Sequence, residues 1–146
     1  MKGRRASAAM LNDRKADLDA GEVVEEQGVV DAVKVFREPE HGMKIYFLHL
    51  SDGRVRVRYD HDSADVDGDG KSRRSTFPLS REVRMIHYPV SGEVDYRFSG
   101  ETIRKPRAQS LDLHPDKWPE DETWCNIPWE DLDAVMARQK PLPGEA

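Results

Sequence analysis

Carboxylates recur at alternate positions in the stretch Asp65, Asp67 and Asp69, and Asp60 and Asp62 stand just before it. A hard cation such as calcium is held by several oxygen ligands at once, and a tight turn carrying alternate aspartates supplies them. Asp65, Asp67 and Asp69 are therefore the candidate metal ligands. The same five aspartates also suit a second role. Asp60, Asp62, Asp65, Asp67 and Asp69 would draw in a basic protein surface and imitate the phosphates of a nucleic acid toward it. A basic cluster, Lys71, Arg73 and Arg74, follows at once.

Residues 65–76 resemble the first half of the calcium loop of EF-hand and dockerin-type proteins. Asp65, Asp67 and Asp69 fall on its first, third and fifth ligand positions, and Gly70 on the glycine that follows. The resemblance implies Ca2+ as the ligand and covers these twelve residues alone. It departs from the pattern where the loop should close. Thr76 stands in place of the bidentate glutamate, Ser72 in place of an apolar residue, and Arg73 and Arg74 would repel the ion. The expectation is a charged, solvated connection between two hairpins.

Two further constellations carry chemistry. Arg54, Arg56 and Arg58 alternate on a strand-like run beside Phe47 and His49. With Asp52-Gly53 as a two-residue loop, Leu50 pairs with Val55, His49 with Arg56 and Phe47 with Arg58. Phe47, His49, Arg54, Arg56 and Arg58 then share one face, suited to phosphates and a stacked base of a single-stranded nucleic acid. The other face, with Leu50, Leu48, Tyr46, Val55, Val57 and Tyr59, is the expected core. Downstream, Trp118, Trp124 and Trp129 lie among acidic residues. Tryptophan is enriched at binding hot spots, which makes Trp118 and Trp124 candidate partner contacts. The apolar stripe of Trp129, Leu132, Val135 and Met136 instead suits the buried face of a helix.

No catalytic constellation accompanies these groups. The sequence holds no GxSxG, Walker, HExxH or CxxC motif, and its five histidines are dispersed. His87 is expected to be buried and hydrogen-bonded. Cys125 is the single cysteine, so no disulfide forms within the chain, which fits a reducing, cytoplasmic compartment.

These residues must be positioned by a modest core. The 146 residues are 37% hydrophobic and 35% charged, with a net charge of −5, which argues against a general polyanion binder. No apolar run is long enough for a membrane span. Residues 1–21 read as a basic arm with a short helix ending at Gly21, residues 22–140 as one β-rich domain, and residues 141–146 as a disordered tail. Val29–Phe36 and Met43–Leu50 read as strands, the second apolar on both faces and so central. A second hairpin turning at Ser91-Gly92 places Val83, Met85, His87, Val94, Tyr96 and Phe98 on its core face. The segment after Gly100 reads as a wrapping loop, and Pro128–Lys140 as a helix with acids in its first turn and basic residues in its last.

The fold expected is α+β: a small antiparallel sheet or partly open barrel of about five strands, with a short N-terminal and a C-terminal helix. The function expected is non-catalytic binding of another protein with a basic surface, of the accessory or inhibitor kind found in bacteria and their viruses. A single-strand nucleic-acid module is the alternative, and a calcium-dependent or metal-assisted enzyme the next. Because the loop lacks its closing glutamate, millimolar calcium is expected to leave the melting temperature unchanged relative to magnesium. A calcium-specific rise abolished by Asp67→Ala would show that the loop is a metal site.

Overall fold

A computed structural model describes residues 23–64 and 77–137. The expected N-terminal helix, Asp65, Asp67, Asp69 and the tail at 141–146 lie outside the described residues. The described chain is mostly antiparallel sheet, with seven strands and one short α-helix. The strands are β1 (Val24–Arg37), β2 (Lys44–Leu50), β3 (Val55–Asp60), β4 (Ser80–Tyr88), β5 (Glu93–Thr102), β6 (Gln109–Ser110) and β7 (Thr123–Cys125). The helix is α1 (Leu132–Met136), preceded by a 3-10 turn at Trp129–Asp131. None of the helices among the described residues is long and apolar enough to cross a membrane.

Contacts group the chain into two compact units. In one, Val24–Val29 of β1 pairs antiparallel with β4, which pairs with β5. The hairpin pairs Tyr88 with Glu93, His87 with Val94 and Met85 with Tyr96. Gly92 closes its four-residue loop, donating its N–H to the Tyr88 carbonyl at 2.8 Å with φ +74°. The loop is two residues longer than a tight turn, so the register shifts by an even number. The strand period is two, so Val83, Met85, His87, Val94, Tyr96 and Phe98 still share one face, but Tyr96 and Phe98 are only half-buried and Ile86 on the opposite face is buried. Val83, Met85 and Val94 are buried on the shared face, and His87 is half-buried with Nε2 3.1 Å from a Glu26 carboxylate oxygen. On the opposite face Arg84 pairs with Glu25. Near the end of β5 a bulge falls at Gly100, whose φ of +78° is a left-handed backbone that favours glycine.

In the other unit the strands run β1, β2, β3, β7 in space, with β6 pairing parallel to the end of β1. A bulge at Asp31 separates the Val30–Leu50 rung from the Ala32–His49 rung. β2 lies between β1 and β3 and is buried on both faces, as its two-sided apolar pattern predicts. One face holds the main core: Phe36, Ile45, Phe47, Val55 and Val57 pack with Leu111, Leu132 and Met136. Phe36 and Phe47 meet edge to face, with ring centres 5.5 Å apart. Each such side chain contributes about 1.5–3 kcal/mol by leaving water. Tyr46 and Leu48 are buried on the second face, where Phe77 stacks on Tyr46 at 4.5 Å.

The β2–β3 hairpin corrects the expected register. Its loop has three residues, Ser51–Gly53. Gly53 donates its N–H to the Leu50 carbonyl at 2.9 Å, and Leu50 donates to the Arg54 carbonyl at 2.8 Å. Gly53 takes φ +94°, so a tight turn is followed by a left-handed glycine bulge. His49 then pairs with Val55, Phe47 with Val57, and Tyr46 with Arg58. The shift is one residue, and every pairing across the faces is exchanged. Phe47 and His49 join Val55, Val57 and Tyr59, while the three arginines join Leu48 and Tyr46.

One helix expectation and one loop expectation change as well. The C-terminal helix is expected over Pro128–Lys140, but the chain opens there as a 3-10 turn and among the described residues is α-helical from Leu132 to Met136, residues 138–140 lying outside them. The wrapping segment after Gly100 carries two short strands, β6 and β7, that bring the count above five. Gly53→Ala should cost about 1–2 kcal/mol, because a side chain in the left-handed region clashes with the backbone. Urea unfolding tests this, and Ser51→Ala in the same loop should stay within about 0.5 kcal/mol of the parent.

Candidate functional site

One edge of the larger sheet is β7, three residues held between Pro119 and Pro128. Its pairing with β3 sets Cys125 opposite Val55, Trp124 opposite Arg56 and Thr123 opposite Val57. Backbone bonds alternate in direction along an antiparallel strand. Since Leu50 and Arg54 form a hydrogen-bonded pair, Arg54, Arg56 and Arg58 turn their backbone groups toward β2. Val55, Val57 and Tyr59 turn theirs toward β7. The Val57 carbonyl accepts from the Glu122 N–H at 2.9 Å, and the Tyr59 N–H donates to Asp121 Oδ1 at 2.9 Å. Thr123 and Cys125 thus bond inward, and the N–H and C=O of Trp124 face away from β3, on a side where no described strand pairs with β7.

The segment before β7 is fastened to β3 by side chains. The Tyr59 hydroxyl donates to the Pro119 carbonyl, and His61 Nε2 lies 2.7 Å from Asp121 Oδ2. The Thr123 hydroxyl donates to the Glu120 carbonyl at 2.7 Å. Glu122 takes φ +59°, a left-handed backbone that a non-glycine residue adopts only where its surroundings demand it. Burial, with the Asp121 and Glu38 carboxylates adding, pushes the Tyr59 phenol up to about 12.

Trp124 projects on the arginine face. The Arg54 guanidinium lies 4.1 Å from its ring centre and that of Arg56 4.7 Å, both within cation–π range. Arg54 is held in place by Asp52, at 2.9 Å between Nε and Oδ2. The Arg54 backbone N–H, helped by its side chain, holds the Asp52 carboxyl below its usual range. Arg56 is 3% exposed and Arg58 9%, the latter with its guanidinium 4.4 Å from the Phe77 ring centre. Only Arg54 of the three reaches the surface in any measure.

A cleft of about 290 Å³ opens beside β7. Pro119, Cys125, Ile127 and the buried Met136 line it, together with exposed Lys117 and Glu120. Neither Lys117 nor Glu120 forms an ion pair with another described residue. Cys125 Sγ donates a weak bond to the Ile127 carbonyl at 3.8 Å, and burial pushes its thiol above the ordinary value.

The other residues singled out from the sequence are dispersed. Phe47 is fully buried and offers no ring to a base. His49 stacks on Trp129 at 5.0 Å on the core side. Lys34 completes that cluster, donating to the Trp129 carbonyl at 2.8 Å and lying 3.6 Å from Asp133. Trp118 packs against the core and donates its indole N–H to the Leu113 carbonyl. Asp60 is 2% exposed, and Asp62 is exposed. Asp60 pairs across strands with Lys44. Burial pushes nearby Lys105 below its ordinary value, with the Asp60 carboxylate opposing that and Lys44 adding to it.

A separate cluster, Glu38, Glu40 and His41, brings three ligand-type atoms within 4.8 Å of one another. The buried Glu38 carboxylate is already engaged. It accepts the backbone N–H groups of Glu40, His41 and Met43 at 2.7–2.9 Å. Its role in this geometry is to tie the β1–β2 turn. The sequence signals the turn by its Pro39 and Gly42, but nothing in it marks Glu38 as buried. The meeting of Tyr59, His61 and Asp121 was likewise illegible, because it depends on the path of a loop.

No protein-family model, curated protein or solved structure matches the chain.

Removing the Tyr59 hydroxyl in Tyr59→Phe should lower stability by about 1 kcal/mol. In the parent, one of the four tyrosines should titrate near pH 12 by phenolate absorbance. Its raised value makes the stability it supplies complete below pH 10, the ordinary phenol value, and progressively lost as pH rises toward 12.

Proposed function

We propose that this chain is a non-catalytic protein-binding module whose recognition surface is the β7 edge around Trp124. The observation that carries this reading is the half-buried Trp124 ring, braced by Arg54 and Arg56 on an open strand edge. Tryptophan and arginine are the residue types most enriched at binding hot spots, and a pre-braced ring loses little conformational freedom on contact. The exposed Lys117 at the cleft favours an acidic group of the partner here. The aspartate-rich stretch 60–69 suits a basic one, with Asp62 its exposed described member. A cytoplasmic accessory or inhibitor protein, bacterial or viral, is consistent with this division of charge.

Single-stranded nucleic acid is the second reading, favoured by the same Arg–Trp stacking. It is weakened by the burial of Arg56 and Arg58, which leaves Arg54 as the one arginine of the three placed for phosphates.

Affinity capture under native conditions, with quantitative identification of the bound proteins, separates the readings. A specific set of proteins should be retained by the parent and reduced at least tenfold by Trp124→Ala and by Arg54→Glu. Retention unchanged in both variants would overturn the proposal. Quenching of tryptophan fluorescence by oligothymidylate, weakening steeply with salt, would move nucleic acid to the front.

A further inference from the structure

We infer that the β7 edge and its cleft form a strand-addition site for an extended acidic segment of a partner protein, which inserts one apolar side chain. The inference rests on the protein-binding reading and names what that surface accepts. Three observations converge on it. The Trp124 N–H and C=O face away from β3, where no described strand pairs with β7, so the edge offers one donor and one acceptor at strand spacing. The cleft lies beside the same residues, with Met136, Ile127, Cys125 and Pro119 supplying an apolar lining. About 290 Å³ accommodates one aliphatic or aromatic side chain of a guest strand, not a whole helix.

Charge decides the flanking residue. The exposed Lys117 at the cleft has no carboxylate partner among the described residues. A guest carboxylate next to the inserted side chain would meet Lys117. Glu120, also at the cleft, disfavours a second acid close by and so limits the acidic character to one side of the anchor. Because β7 is three residues long, backbone pairing alone is weak. Affinity therefore comes from the anchor, and specificity from the acid that follows it.

The site is also rigid before any guest arrives. Tyr59, His61 and Asp121 fasten residues 119–121 to β3, and that segment supplies Pro119 and Glu120 to the cleft. A preformed edge avoids the ordering cost that a mobile loop incurs on binding.

The test is selection of random twelve-residue peptides displayed on phage against the full chain, with Cys125 alkylation by a maleimide as the reporter of occupancy. Cys125 is the single cysteine and lines the cleft. Selected peptides should share one large apolar residue next to an acid and slow Cys125 alkylation at least tenfold. Lys117→Glu should turn the shared acid into a basic residue, a change of preference that misfolding does not produce. Ile127→Arg should abolish binding while the thermal melt remains cooperative. Peptides that bind and are displaced by Trp124→Ala, yet leave alkylation unchanged, would overturn the cleft and leave the protein-binding reading standing. Failure to enrich any peptide overturns the strand-addition site. If native capture by the parent also fails, the protein-binding reading falls with it.

Discussion

The three-residue loop Ser51–Gly53 is the constraint on which the larger sheet depends. Gly53 in its left-handed conformation closes the β2–β3 hairpin one residue out of step with a tight turn. From that single displacement follow the residents of both faces. Phe47 goes into the core beside Val57, and Arg54, Arg56 and Arg58 go to the face of Tyr46 and Leu48. Trp124, paired opposite Arg56, is drawn to the arginine side as a result. The aromatic neighbour of the arginines is thus a tryptophan from a distant segment, not the phenylalanine from the adjacent strand.

The two hairpins show what a sequence can and cannot disclose. Both turns were visible from their glycines, and both loops proved longer than a two-residue turn. At Gly92 the excess is two residues, and Val83, Met85 and Val94 stay inside as their alternation implies. At Gly53 it is one, and the face assignment inverts. Alternation states which residues travel together, while the parity of the loop states with whom they travel. That parity depends on the conformation of one glycine, which its identity permits but does not dictate. β2 was legible for the opposite reason: apolar on both sides, it stays buried whichever register the turn selects.

The segment from Leu111 to Met136 was the least legible part, because its order comes from tertiary contacts and not from local preference. Its strand is three residues and its α-helix five, lengths at which propensity decides little. What holds it are bonds reaching back to the sheet: Tyr59 and Asp121 at one end, Lys34 and His49 around Trp129 at the other. Trp118 and Trp129 pack against the main core as fastenings, while Trp124 stacks on the arginines of the other face. The buried arginines follow the same logic. Arg56 and Arg58 lie against aromatic rings, so their stems and planar heads serve as packing surface within a small core.

The brevity of β7 has a consequence for behaviour at high concentration. Long flat edges let identical molecules zip together and grow into fibrils. Here the exposed rung is confined to Trp124, with prolines standing on either side of the strand. A ladder begun at this edge runs out after a single step. This edge keeps an unsealed margin without itself offering a template on which copies of the molecule can accumulate.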